Sequence, residues 1–333
     1  MATISKKHHF VPQFYLKNFA IANSEDKIHL YRRKGDIVIA GISDVAAENN
    51  LYTFKLRGTD QKTDIVEKMF GEVETLAAPI IRKVIEEQNL NLDQEESMGL
   101  SQFIALLATR GTPFESQQKI MESEMIKQMS IELAKHKDAF HKRFAKHAAE
   151  IDATVDIESL RQSVLNFDEH FKVELTGGRA ERLENAVGIA EDLSKTLLDK
   201  SWHLLVANSD WVFVTSDNPV TIQASRSAPR MYNSGFLHGT ILLPLTPKLC
   251  LLMRNESLSR KIIKVDRDKV SAINKSIMKS SNRFVYSNLK SRTFKNGYDA
   301  VPEDSSKVKV TNLEWAPYII AHGPEGDPET IAA

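Results

Sequence analysis

Two adjacent histidines open the stretch HHFVPQFYL, residues 8–16, immediately ahead of a proline and an aromatic run. Imidazole titrates near neutrality, so His8 and His9 could each act as a general base, polarise a phosphate or ligate a metal ion. Pro12 suits the first position of a helix over about 12–20, because its missing N–H costs nothing there and its φ is already helical. The histidines would then stand at the positive end of that helix, which favours an anion and lowers the pKa of an imidazole. The plainer alternative is that one ring packs on Phe10 and Tyr15 while the other faces solvent.

A second constellation is WVFVTSDNPV, residues 211–220. A strand over Trp211–Val214 stops at Thr215-Ser216-Asp217-Asn218-Pro219, and Pro219 holds Asn218 out of the helical region. Ser216, Asp217 and Asn218 are thus displayed at a strand end, where binding groups commonly sit, although the same residues also make a well-capped turn without a ligand. Carboxylates form a third group: Glu48 in AENNLYTF, then Glu67 and Glu74. The seven-residue spacing puts Glu67 and Glu74 on one helix face, where they flank the apolar stripe. A solvated flank explains such a pair more simply than acid–base or metal chemistry. Arg110 ends a helix otherwise rich in Ile, Leu and Ala, a setting that calls for a buried partner or an anionic ligand.

These residues need positioning elements. IHLYRRKGDIVIAGI alternates about the turn Arg33–Asp36 and predicts a β-hairpin, and NLYTFKL predicts a further strand at about 50–56. From Asp64 the apolar period lengthens to three and four, predicting a helix that Pro79 kinks or splits. A helix with an acidic first turn follows and ends at Gly111-Thr112-Pro113. One long polar helix is expected over 114–150, then helices at about 156–165 and 180–200. Strands return after Lys200, with SWHLLVAN and WVFVTSD read as a hairpin, two strands around Pro247, a helix at about 266–281 and a strand at RFVYS.

The order is strands, a helical segment over about 64–200, then strands over about 201–290. This predicts one α+β domain over 1–290, its mixed or antiparallel sheet built from N- and C-terminal strands with a large helical layer or subdomain. Residues 291–333 are expected to be a loosely ordered extension, apart from a strand at WAPYIIA. No GxGxxG or GxxxxGKS stretch supports a Rossmann or P-loop nucleotide site.

Composition excludes several classes. Lys plus Arg equals Asp plus Glu at 44 each, so nothing global draws the chain to nucleic acid or anionic lipid. The single cysteine, Cys250, excludes an internal disulfide and a cysteine-rich zinc site, and its apolar neighbours mark it as a small buried hydrophobe. No apolar signal-peptide core follows the N-terminal lysines and no apolar run is long enough to span a bilayer, so a soluble cytoplasmic protein is expected.

Taken together, HHFVPQFYLKNF, AENNLYTF, VEKMFGEVE, the helix ending in RGTP and FVTSDNPV resemble the family known as domain of unknown function 4238, over roughly residues 7–290. The resemblance implies no activity, but it singles out His8, His9, Pro12, Tyr15, Phe19, Glu48, Tyr52, Glu74, Arg110, Ser216, Asp217, Asn218 and Pro219. Such a mixture of His, Glu, Arg, Asp and Asn fits a shared pocket better than separate caps.

Three readings stay open. The first is a nuclease-like hydrolase of phosphodiesters, with a role in defence. His8, His9, Glu48 and Asp217 would be catalytic, with His9, Glu48 and Asp217 as candidate ligands of a divalent metal ion. Arg110 would be the phosphate clamp, and Tyr15, Ser216 and Asn218 would bind the anionic ligand or nucleic acid. The second is a non-catalytic sensor with the same His/Arg/Asp pocket. The third is a buried hydrogen-bond network tying the N-terminal helix to the C-terminal sheet. The helix at 114–150 would serve as a homo-oligomer interface.

Overall fold

The computed structural model describes residues 6–55, 62–150, 156–176, 178–208, 210–224, 235–256, 261–301 and 318–322. It divides into two compact units, Met1–Phe114 with Leu183–Ser306, and Glu115–Arg182 with Lys307–Ala333. The elements in chain order begin with β1 (Lys7–His9), α1 (Gln13–Lys17), β2 (Lys27–Arg32), β3 (Ile37–Gly41), β4 (Ala47–Asn49), β5 (Phe54–Lys55) and β6 (Lys62–Thr63). Helices follow: α2 (Ile65–Glu87), α3 (Gln94–Thr109), α4 (Thr112–Lys135), α5 (Lys137–Glu150), α6 (Ile157–Leu165) and α7 (Phe167–His170). Then come β7 (Lys172–Thr176), α8 (Arg179–Leu198), β8 (Ser201–Ala207), β9 (Thr215–Ser216), β10 (Thr221–Gln223), β11 (Thr240–Pro244), β12 (Leu249–Arg254) and β13 (Ile262–Val265). The last are α9 (Arg267–Ser280), β14 (Phe284–Ser287), α10 (Arg292–Asp299) and β15 (Tyr318–His322). The class is α+β.

In the first unit a four-stranded sheet in the order β3-β2-β14-β9 joins N- and C-terminal strands, all antiparallel. Its β2–β3 hairpin is the one the alternation around Arg33–Asp36 predicts. Period-two alternation sends Ile28, Leu30 and Tyr286 into one buried cluster and Tyr31 and Val285 into another, so both faces of the sheet are covered. A second sheet, β10-β11-β12-β8-β13, uses C-terminal strands alone and is mixed, because β13 runs parallel to β8. The expectation of one sheet is therefore corrected to two principal ones.

The expected hairpin over 201–217 does not form. β8 pairs with β12 and β13, whereas Thr215 and Ser216 pair with β14 in the other sheet. The intervening Trp211–Val214 segment is not a strand. Buried Asn274 of α9 takes the place of a neighbouring strand there: its Oδ1 accepts Val214 N–H at 3.1 Å and its Nδ2 donates to Val212 O at 2.8 Å.

Helix α2 is not split by Pro79. It buries Phe70, Ala77, Ile81 and Val84 on one side, while Pro79 and Thr75 are exposed, so the carbonyl that Pro79 leaves without a donor lies at the solvent side. Helix α3 starts on a capping box, Glu96 N–H to Asp93 Oδ1 at 2.9 Å and Asp93 N–H to Glu96 Oε2 at 3.0 Å. It buries Leu100, Phe103, Ile104 and Leu107 before Arg110 closes it.

In the second unit the single helix expected over 114–150 is two, separated at His136. The break lets Ala134 and Phe140 share a small buried cluster with Val164 and Phe167. β15 pairs in parallel with β7, at the place where WAPYIIA predicts a strand. Residues 292–299, assigned from sequence to a loose extension, form α10 with Phe294 and Tyr298 buried; residues 302–317 and 323–333 lie outside the described residues. Cys250 is buried, and burial pushes its thiol pKa up, as expected of a core position.

Candidate functional site

The two histidines lie on a strand. β1 pairs with β4 so that His8 faces Glu48 and His9 faces Ala47, and neighbouring strand residues point to opposite faces. His8 is fully buried, its ring stacked on Tyr52 at 5.5 Å between centroids. Tyr52 N–H donates to His8 Nδ1 at 2.8 Å, which commits that lone pair to the backbone. His9 is half-buried, and its Nε2–H donates to Ser43 O at 3.1 Å, which leaves Nδ1 as the basic atom. Its pKa is lowered, first by loss of solvation, with Lys7 and Arg110 pushing the same way and Ser43 and Glu74 opposing. The helix-end effect expected for this pair is not the cause, because α1 is a five-residue helix that begins only at Gln13.

Beside His9 stands Arg110, delivered by the end of α3. Its side chain is 1% exposed, Nε donates to Phe10 O at 2.9 Å and Nη1 to Glu74 Oε1 at 2.7 Å. Its Cζ lies 5.4 Å from the centre of the Phe70 ring, and its own carbonyl accepts Tyr52 O–H at 2.9 Å. Nη2 is buried with no hydrogen-bond partner among the described residues. The seven-residue spacing of α2 turns Glu67 to the same side as Glu74. Glu67 is half-buried, and desolvation pushes its pKa up to about 7, with Glu74 and Asp64 adding to the rise and Arg110 opposing it. The solvated flank expected for these two carboxylates is thus corrected: Glu74 is paired to a buried guanidinium and Glu67 sits in its field. The sequence signal was present, in an arginine on an apolar helix and two glutamates two turns apart, but nothing in the sequence joined them.

Tyr15 is fully buried and its hydroxyl donates to Pro244 O at 2.6 Å while accepting from Thr215 Oγ1 at 2.8 Å. Burial raises its pKa. Asp217, 3% exposed, accepts three backbone N–H groups: Asn282 at 2.8 Å on Oδ1, and Arg283 at 2.7 Å and Phe284 at 3.0 Å on Oδ2. Ser216 Oγ accepts Asn218 N–H at 3.1 Å, and Asn218 Nδ2 donates to Ser280 O at 3.0 Å. Asp217 and Asn218 fasten the chain at 280–284, while the Ser216 hydroxyl closes its own turn. Glu48 lies 3.5 Å from Arg283 Nη2.

The structure therefore brings His9 and Arg110 together with Glu67 and Glu74, and gathers Asp217, Ser216 and Asn218 around the turn that carries Arg283. His8 and Tyr15 tie the N-terminal segment into the core. Glu67 and Glu74, which the sequence assigns to a solvated flank, belong to the Arg110 cluster, and Arg283 is the participant that no sequence signal singles out. The candidate ligands His9, Glu48 and Asp217 do not form a ligand set: among the described residues, no group of three or more His, Cys, Asp or Glu is placed to hold a metal ion. Among the same residues, no helix is long and apolar enough to cross a membrane.

No curated protein and no solved structure is significantly similar to the chain. A family model, described as Protein of unknown function (DUF4238), matches residues 7–291 and so includes both the Arg110 cluster and the Asp217 turn. The chain belongs to that family.

Proposed function

We propose that the Arg110 cluster is an acid–base site acting on an anionic substrate of the phosphodiester class, which makes the chain a hydrolase of nuclease type. The observation that carries this reading is the opposite displacement of two titratable groups that both feel Arg110 and Glu74. Burial raises Glu67 to about 7 and lowers His9, so near neutrality a protonated carboxyl coexists with a neutral imidazole. A pair so separated is what proton transfer in both directions needs. His9 Nδ1 would take the proton from an attacking water and Glu67 would give one to the leaving oxygen. Arg110, whose Nη2 has no partner among the described residues, supports the choice of an anion, since a guanidinium edge is well matched to phosphate oxygens. An anion next to Glu67 also favours its protonated form, so binding and readiness for acid catalysis reinforce each other.

A non-catalytic sensor is the second reading, favoured by the burial of Arg110 Nη2. The two are separated by measuring hydrolysis of bis(p-nitrophenyl) phosphate between pH 5 and 9, with and without added divalent ions. Turnover that falls about 100-fold or more in both Glu67→Gln and His9→Gln supports the hydrolase. Absence of turnover together with saturable heat on titrating inorganic phosphate supports the sensor.

A further inference from the structure

Arg283 lies where the TSDNP and AENN stretches meet. Asp217 of TSDNP fixes its backbone, and Glu48 of AENN pairs with its guanidinium. The side chain nevertheless remains 59% exposed, with Cζ 5.4 Å from the centre of the Phe284 ring. In the β14–β2 register Phe284 stands opposite Arg32, whose Cζ lies 5.8 Å from the same ring. Arg32 is exposed and forms no ion pair among the described residues. The adjoining turn adds Arg33, stacked on Tyr298 at 5.2 Å, and exposed Lys34. Of the local acidic groups, Glu48 is engaged with Arg283 and Asp299 with Lys295 and Lys34 N–H, and exposed Asp36 lies at the far end of the turn.

We infer that Arg32, Phe284 and Arg283 form a ledge that docks single-stranded nucleic acid. Guanidinium planes laid against an aromatic ring offer flat faces for unpaired bases, while their N–H edges take phosphate oxygens. A duplex keeps its bases stacked on one another and would use only the charges. A neutral chain with a small basic and aromatic patch here suits a short strand contact better than a broad duplex footprint. The inference rests on the phosphodiester reading for its substrate class, yet it concerns binding and needs no turnover.

The test is fluorescence anisotropy with labelled 15-nucleotide oligo-dT and oligo-rU and a 15-base-pair duplex, in EDTA at several salt concentrations. The wild type should bind the single strands more tightly than the duplex. The double variant Arg32→Gln/Arg283→Gln should weaken single-strand binding about tenfold or more and flatten the salt slope by about 1.4, for two phosphate contacts. Its melting temperature should match the wild type, because both side chains are exposed. Phe284→Leu, which keeps an apolar side chain on the strand, should also lower single-strand affinity. No binding by the wild type, equal binding by the double variant, or preference for duplex overturns the inference. Failure of the small-diester assay alone would remove the hydrolase reading and leave this binding result standing.

Discussion

The carboxylate of Asp217 accepts the backbone N–H of Arg283 at 2.7 Å and those of both flanking residues at 2.8 and 3.0 Å. Three amide donors on one buried carboxylate need an acceptor at both oxygens, which a side-chain amide cannot supply. Asp217→Asn turns one oxygen into an NH2 group facing a donor. The variant should lose about 2–4 kcal/mol in urea denaturation, and the amides of 282–284 should exchange with solvent markedly faster. A loss under about 0.5 kcal/mol would show that the turn holds itself.

Arg110 and Glu74 form the second stability prediction. Their side chains are 1% and 27% exposed, so the pair is enclosed on the arginine side and partly wet on the other. Glu74→Gln leaves a buried guanidinium without its counter-charge and should cost about 2–3 kcal/mol, at the lower side of buried-pair losses because Glu74 still reaches water. Arg110→Lys should not rescue function or stability, since an ammonium cannot serve Phe10 O and Glu74 with the same fixed fork. Chemical denaturation of the two single variants and their double variant measures the coupling, and additive losses would contradict a direct pair.

How far the sequence reached follows from the kind of contact involved. The β2–β3 hairpin, α3 with its acidic first turn and α9 were legible because turn chemistry, end signals and apolar period are local. The partner of β8 was not, because strand pairing is decided by sheets that assemble across distant residues, and Asn274 supplies bonds that mimic a strand. The stretches TSDNP and AENN drew attention to Asp217 and Glu48 but not to the residue they share. Arg283 precedes an ordinary strand, and only the β14–β2 register and the Asp217 clamp give it a place. Glu67 was legible in position but not in state, since its pKa depends on burial beside Arg110.

His9 should report its environment directly. A base whose folded pKa lies below its ordinary value of 6.5 binds fewer protons folded than unfolded in that range, so its contribution is present above pH 6.5 and is lost as pH falls. The His9 ring resonances in an NMR titration should move with a midpoint below 6.5, and His9→Gln should flatten the loss of stability between pH 6.5 and 5. A midpoint above 6.5 would remove His9 as the base.

Glu67 works with the opposite sign. Its folded pKa of about 7 stands above the ordinary 4.5, so the folded chain holds a proton that the unfolded chain gives up. Stability is therefore complete below pH 4.5 and falls as pH rises through 7. The full displacement would cost about 3 kcal/mol, and solvent screening of a half-buried group reduces it to about 1–2. Glu67→Gln, neutral at every pH, should then melt about 2–4 °C above the wild type at pH 8 and level with it at pH 4.5. The same substitution removes the acid. Diester hydrolysis by the wild type should rise with pH as His9 loses its proton and fall again as Glu67 loses its own, giving a narrow bell just below neutrality. A variant that is more stable at pH 8 and catalytically poor at every pH would mark Glu67 as a group kept for chemistry at the expense of stability. A variant that is more stable and equally active would assign Glu67 to neither acid nor binding duty, and the hydrolase reading would lose its donor.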